Sequence, residues 1–198
     1  LTFDLSWLSP LLIFVGVIFF LSRKQTRLGQ MGRVSIGLGL IILALQLIVE
    51  AAAPITHAQG VKVIFASLTG DILLDALVGA LFAMISYSSL AAVLLTATLA
   101  GASVISLPVA IGLVIGANIG SGILAFMSTS MQNAAGRQVA LGSLLYKLIG
   151  LLLIIPVLDP LVHWIDSLDF SPQEMVIGFH LLYNTARCLI LLPSVGPM

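Results

Sequence analysis

The sequence predicts an all-α polytopic membrane protein, and three observations carry that prediction. Apolar residues make up 60% of the 198-residue chain and charged residues 8%, whereas a soluble domain is roughly half apolar and about a quarter charged. Mean hydropathy is +1.19. Apolar stretches close to the ~20 residues needed to cross a bilayer recur along the chain. Eight basic residues balance eight acidic ones, which argues against a nucleic-acid surface. Cys188 is the single cysteine, so no intrachain disulfide is possible. Leu1 is not a methionine, no basic n-region precedes an apolar run, and the first seven residues read as the interior of a longer protein. A fragment is therefore expected.

Taken in order, a first span runs from about Leu5 to Leu21, with Pro10 tolerated in its opening turn. Arg23, Lys24, Arg27 and Arg33 follow. This is the most basic segment and is cytoplasmic by the positive-inside rule. A second span covers Val34 to Ala53 and ends at Pro54. The chain then emerges outside at Thr56 to Gly60, and Val61 to Leu68 is too short to span and reads as an interfacial helix. Asp71 to Gly101 is too long for one straight crossing and has Ser86-Tyr87-Ser88-Ser89 in its middle. A long tilted helix and a re-entrant hairpin of two half-helices compete, and the downstream charges fit the hairpin. Ser106-Leu107-Pro108 starts the next span, with Ser106 as N-cap. That span reaches about Met127 and is expected to break at Gly116-Ala117-Asn118-Ile119-Gly120-Ser121-Gly122, since three glycines make a poor helix interior. A cytoplasmic loop from Ser128 to Arg137 leads to a span from Val139 to Pro156. An acidic external loop follows, with Asp159, Asp166 and Asp169. Ser171-Pro172-Gln173-Glu174 is a capping box, and it opens a last span from Pro172 to Leu192. That makes about five full crossings and one hairpin.

An internal similarity links the last two spans. Ser143-Leu144-Leu145-Tyr146-Lys147 matches His180-Leu181-Leu182-Tyr183-Asn184 at an offset of 37 residues, and Val139/Val176 and Pro156/Pro193 share that offset. Internal symmetry is common in transporters, where the substrate lies between repeats, although Leu-Leu-Tyr arises easily by chance in so apolar a chain.

No metal-ligand cluster, Walker loop, nucleophile elbow or intramembrane-protease pair is found in the sequence, so no enzyme is expected. Three polar groups interrupt the apolar segments. Tyr87-Ser88-Ser89 at the hairpin tip offers hydroxyls to an ion, and a half-helix starting there would aim its free N–H groups at an anion. Alternatively, the hydroxyls bond back to their own helix. At the glycine motif, Asn118 and Ser121 sit where backbone groups need partners that lipid lacks. Gly112, Gly116 and Gly120 also form a small-residue ridge suited to helix packing. His180, Asn184 and Arg187 fall on one helical face, fit either for a ligand or for bonds between helices. Asp75 and Lys147 are buried charges that invite a mutual pair.

These residues resemble the bacterial sodium/phosphate cotransporter family, in which a Gln-Ser-Ser-Ser tip precedes a Gly-Ala-Asn-Ile-Gly-Thr-Thr break. Here the tip is Tyr87-Ser88-Ser89-Leu90 and the break is Gly116 to Gly122. The family's His-x-x-Phe-Asn motif looks like His180 to Asn184. The likeness covers most of the chain from Asp71. Tyr87 replaces the Gln, Leu90 the third Ser, and Ser121 and Gly122 the Thr pair. The resemblance implies one transporter domain over 1–198, with 1–70 as connecting spans and 71–198 as a second repeat whose N-terminal counterpart precedes Leu1. It implies sodium-dependent transport of inorganic phosphate across the bacterial inner membrane by alternating access, with sodium as the coupling ion and no other cofactor. Ser88, Ser89, Asn118, Gly120 and Ser121 would bind substrate or ion, supported by Tyr87, Gly116, His180 and Asn184. A non-transporting assembly or regulatory subunit, or an intramembrane enzyme, are the alternatives.

Overall fold

The computed structural model describes residues 7–22, 26–60, 63, 71–129, 131 and 133–194. The chain forms two units, Leu1–Ala52 and Ala53–Met198, and every regular element among the described residues is helical.

The first unit is built on α1 (Leu8–Ser22) and the larger part of α2 (Arg27–His57). They run antiparallel. Ser9 Oγ donates to the Gly39 carbonyl at 2.9 Å, and Ser35 Oγ to the Leu12 carbonyl at 2.8 Å. A methyl at Gly16 would meet the Gly32 carbonyl at 2.8 Å, so glycine permits the close approach, as small residues do between membrane helices. Two expectations change here. Arg27 and Arg33 lie on α2 itself, and Arg33 covers the Phe20 ring at 5.2 Å. Pro54 does not end α2, which continues to His57. Pro54 forgoes its own bond to the preceding turn and crowds the carbonyl there, and the helix absorbs that local loss for one more turn. The interfacial helix expected at Val61 to Leu68 lies outside the described residues, apart from Val63.

The second unit opens with α3 (Ile72–Ile85) and α4 (Ser89–Gly101). Asp71 caps α3 by accepting from Leu73 N at 2.9 Å and Leu74 N at 3.0 Å. The helix stops at Ser86, Tyr87 turns the chain with a left-handed backbone (φ 51°), and Ser88 Oγ caps α4 by accepting from Ala91 N at 3.1 Å. With 14 and 13 residues, each helix is about 20 Å long, short of the ~30 Å hydrocarbon layer. Next comes α5 (Leu107–Ser128). Asp75 faces Gly112, Ala76 faces Gly116 and Ala80 faces Gly120, so α3 and α5 run parallel and α4 must bring the chain back between them. A single long helix over Asp71 to Gly101 is thus excluded, and two short helices joined by a turn stand in its place.

The expected glycine break does not exist. α5 is continuous through Gly116 to Gly122, and Val109 to Asn118 are all buried. Each helical glycine costs about 1 kcal/mol relative to alanine. These glycines recover that cost in packing, since a methyl on Gly116 or Gly120 would fall on the carbonyl of Ala76 or Ala80. Ser106 occupies the N-cap position with Pro108 behind it, but its hydroxyl makes no capping bond.

Asn133 caps α6 (Ala134–Ile154) by accepting from Gly136 N at 2.9 Å, so Arg137 is helical and the preceding loop is shorter than expected. Pro156 tightens the chain into a 3₁₀ turn, Ile155–Val157, that leads into α7 (Leu158–Asp166). The expected acidic loop is thus largely helix. The capping box is complete: Ser171 N donates to Glu174 Oε2 at 2.9 Å, and Glu174 N to Ser171 Oγ at 3.3 Å. It starts α8 (Pro172–Leu191), which ends in a 3₁₀ turn, Leu192–Ser194. The two 3₁₀ turns keep the 37-residue offset, so the repeat extends to how both helices end. It does not extend to burial: Val139 is exposed and Val176 buried. Among the described residues, three helical runs are long and apolar enough to cross a membrane: Arg27–Ala51, Leu107–Ser128 and Ala134–Asp166. Against the five expected, α1 has only 15 described residues and α8 is diluted by Glu174, His180, Asn184 and Arg187.

Candidate functional site

α5 is the axis of the second unit: α3, α4, α6 and α8 all pack on it, and α8 packs on α4 as well. The polar side chains expected to form a site sort into three places along it.

At the hairpin tip, Ser88 is committed to capping α4. Ser86 Oγ donates to the Phe82 carbonyl at 2.8 Å. Ser89 opens α4 with a half-buried side chain. Tyr87 is 84% exposed. Among the described residues, no hydrogen bond joins this tip to Asn118 or Ser121, so the structure does not gather the expected residues into one cluster.

In mid-α5, Asn118 is buried, and its Nδ2 donates to the Val114 carbonyl at 3.1 Å. Ser121 Oγ donates to the Asn118 carbonyl at 2.8 Å and accepts from Lys147 Nζ at 2.9 Å. The expected Asp75–Lys147 pair is absent. Asp75 lies opposite Gly112, fully buried, with neither carboxylate oxygen hydrogen-bonded among the described residues. Ser121 is nine residues further along α5, about 14 Å by helical rise, which is out of reach of an ion pair.

On α8 the expected polar face is present and bonded along its length. Asn184 Nδ2 donates to the His180 carbonyl at 2.8 Å, and Arg187 Nη2 to Asn184 Oδ1 at 2.9 Å. The Arg187 guanidinium lies 5.7 Å from the centre of the Tyr183 ring, which stacks on Phe179. α6 meets this face through Gly150, where a methyl would touch Arg187 Cδ at 2.7 Å and Tyr183 Oη at 2.8 Å. Lys147 lies one turn before Gly150 on the same α6 face.

Sequence reasoning singled out Ser121, His180 and Asn184 but left Lys147 and Arg187 outside the site. The signal was available: they are the two basic residues well inside the last two spans, and a charge there normally faces a functional cavity. Cavities of about 300 and 620 Å³ flank Arg187, the first lined by Gly150, Phe179 and Tyr183, the second by Gln138, Ser143 and Tyr146. Among the described residues there is no grouping of three or more His, Cys, Asp or Glu side chains able to hold a metal ion.

A family model described as Na+/Pi-cotransporter matches residues 1–50 and 54–166. A protein of Escherichia coli (strain K12) named "Putative inorganic phosphate export protein YjbB" is 68% identical over 198 residues, all of this chain and 36% of that protein. Its namesake in Salmonella typhimurium is 68% identical over 193 residues, 98% of this chain and 36% of that relative. The "Uncharacterized protein YqeW" of Bacillus subtilis (strain 168) is 26% identical over 182 residues, 92% of this chain and 59% of that protein. The chain thus spans about a third of the length of the first of these relatives. No solved structure matches it.

Proposed function

We infer, from the premise that this chain belongs to the Na+/Pi-cotransporter family, that the whole protein carries inorganic phosphate across a bacterial inner membrane with sodium as the coupling ion. The observation that carries the reading is the α3–α4 hairpin. Two half-length helices meet at Tyr87-Ser88-Ser89 and lie along a full-length helix. Discontinuous helices of this kind present free backbone groups to substrate and ion near the bilayer midplane. In this reading Ser89 contributes its hydroxyl to the ion, and Ser88 caps the half-helix that points at it. Asn118 and Ser121 line the phosphate side, with His180 and Asn184 behind them. Gly116 and Gly120 let α3 approach α5 closely, so that hairpin and helix move as one body during alternating access. A second tip-plus-glycine unit, supplied by the rest of the protein, completes the site.

The name of these relatives points to export. A symporter runs in whichever direction the combined gradients dictate, so coupling and direction are tested together. The whole protein is reconstituted in vesicles, and labelled phosphate flux is followed with sodium or potassium on either side. Flux that needs sodium and reverses with the combined gradient is expected. Equal flux in potassium would refute sodium coupling, and no flux above empty vesicles would leave a non-transporting membrane subunit.

A further inference from the structure

We propose that Lys147 and Arg187 form a binding site for a phosphate group at the α5–α6–α8 crossing, and that its occupant is the transported inorganic phosphate. The proposal rests on the transport reading above and assigns the substrate to residues outside the hairpin tip.

The first argument is charge. Lys147 and Arg187 are both half-buried inside apolar helices, and among the described residues neither has a carboxylate partner. α5 and α6 contain no acidic residue. Glu174, the one acid on α8, is tied to Ser171 in the capping box, 13 residues from Arg187, about 20 Å along the helix. Asp75 is out of reach, as shown above. Basic side chains in a membrane segment are costly and normally paired or facing a water-filled cavity. Two of them with no acidic partner call for a mobile anion, and a doubly charged one balances them.

The second argument is donor geometry. One Lys147 proton goes to Ser121 and one Arg187 nitrogen to Asn184. The other guanidinium terminus, Nη1, is buried, and no hydrogen bond of ordinary geometry reaches it among the described residues; the nearby Tyr183 hydroxyl is equally unsatisfied by that measure. A guanidinium offers five donors in a planar fork that matches the oxygens of a tetrahedral oxyanion, and an ammonium adds a point charge. The Ser121 oxygen accepts from Lys147 and keeps a second lone pair, an acceptor position for the proton that phosphate retains and sulfate lacks.

The third argument is the repeat. At the 37-residue offset, Lys147 corresponds to Asn184 and Gly150 to Arg187. The glycine of one helix makes room for the arginine stem of the other, and the lysine stands where the partner helix has an amide. Two related helices thus bring both cations to one asymmetric crossing. Packing alone would not require a cation at either position.

A phospholipid headgroup shares this chemistry, so the experiment separates the two sources. Whole protein is purified as wild type, Lys147→Gln, Arg187→Gln, Arg187→Lys and Gly150→Ala. Binding of inorganic phosphate is measured by calorimetry, with and without added phosphatidylglycerol, and the phosphate KM by vesicle flux. Losing one charge-assisted contact is worth about 1.5–3 kcal/mol, or at least about tenfold in affinity. Each glutamine variant should weaken phosphate binding and raise KM by at least about that factor, with the apparent sodium affinity unchanged. Gly150→Ala, which keeps both charges but displaces the arginine stem, should show a smaller loss of the same kind. Should Arg187→Gln fail to fold, Arg187→Lys and Gly150→Ala decide the question on their own. Wild-type phosphate affinity in all folded variants overturns the proposal, as does a loss of phosphatidylglycerol binding alone. Calorimetry does not depend on flux, so phosphate binding that is lost in the variants of a non-transporting protein would sink the transport reading and spare the site.

Discussion

Gly116→Ala tests the central packing argument. In place of its hydrogen, the substitution sets a methyl on the Ala76 carbonyl of α3. That neighbour is backbone in a rigid helix and cannot rotate away, so α3 and α5 must separate. Overpacking of a tight interior costs about 1–3 kcal/mol, and a backbone collision belongs at the upper end. Alanine returns about 1 kcal/mol of helix propensity, which leaves a net loss of about 2 kcal/mol. Gly142 is the internal control, because a methyl there has nothing within 4 Å. Gly142→Ala should therefore gain up to about 1 kcal/mol from propensity alone. The two variants should thus differ by about 3 kcal/mol. The assay is denaturant unfolding of the whole protein in mixed micelles, followed by the loss of its monodisperse peak. If Gly116→Ala proves as stable as Gly142→Ala, the close α3–α5 approach is not what holds the hairpin, and the account of the glycine motif fails. Gly120→Leu is expected to abolish phosphate flux by the same separation.

The two tip serines should behave differently. Ser88→Ala removes the cap of α4 and should cost about 1 kcal/mol of stability, whereas Ser89→Ala should leave stability intact and lower the apparent sodium affinity about tenfold or more, read from flux against sodium concentration. If Ser89→Ala reproduces the wild-type sodium curve, the tip does not bind the coupling ion. Replacing Asp75 by Asn removes a buried acidic group without hydrogen-bond partners among the described residues, so the variant should unfold at the same temperature as wild type or higher; a clearly lower midpoint would show that the carboxylate is bonded in the folded protein. Single cysteines at Gln25 and Ser167, probed in intact cells with an impermeant thiol reagent, should label at Ser167 and not at Gln25, and the reverse pattern would invert the topology.

The parts of the fold that were legible in the sequence have local causes. The Ser171–Glu174 box, the Asp71 cap and the turn at Ser86 to Ser88 are each set by residues within four positions of one another, so spacing alone exposes them. The glycine motif misled for the opposite reason. Its three glycines lower helix propensity locally, but what decides their conformation lies on other helices: α3, some 40 residues away in sequence, for Gly116 and Gly120, and α6 for Gly122. Pro54 and the acidic segment after Pro156 were misread in the same way: a proline was taken as a stop where it only tightens or perturbs one turn. Lys147 is the instructive case at the site. Pairing it with Asp75 satisfied charge bookkeeping but ignored register, and register placed Lys147 at Ser121 and Asp75 at Gly112.

Hydrogen-bond destinations also decide where binding capacity remains. Ser86, Thr96, Thr98 and Thr129 all donate to carbonyls four residues back on their own helix. Such bonds make a polar side chain tolerable in an apolar interior, but they use up the donor a ligand would need. A lysine and an arginine are different, because three and five donors exceed what one helix can absorb. Lys147 reaches across to α5, and Arg187 keeps a buried nitrogen without a hydrogen-bond partner among the described residues. Spare donor capacity therefore accumulates at the α5–α6–α8 crossing, while Ser89 leaves a hydroxyl at the tip, which can serve a cation through its oxygen. Substitutions at the crossing should consequently act on phosphate affinity and those at the tip on sodium affinity. A variant at either place that moves both affinities equally would show that the two ligands share one site.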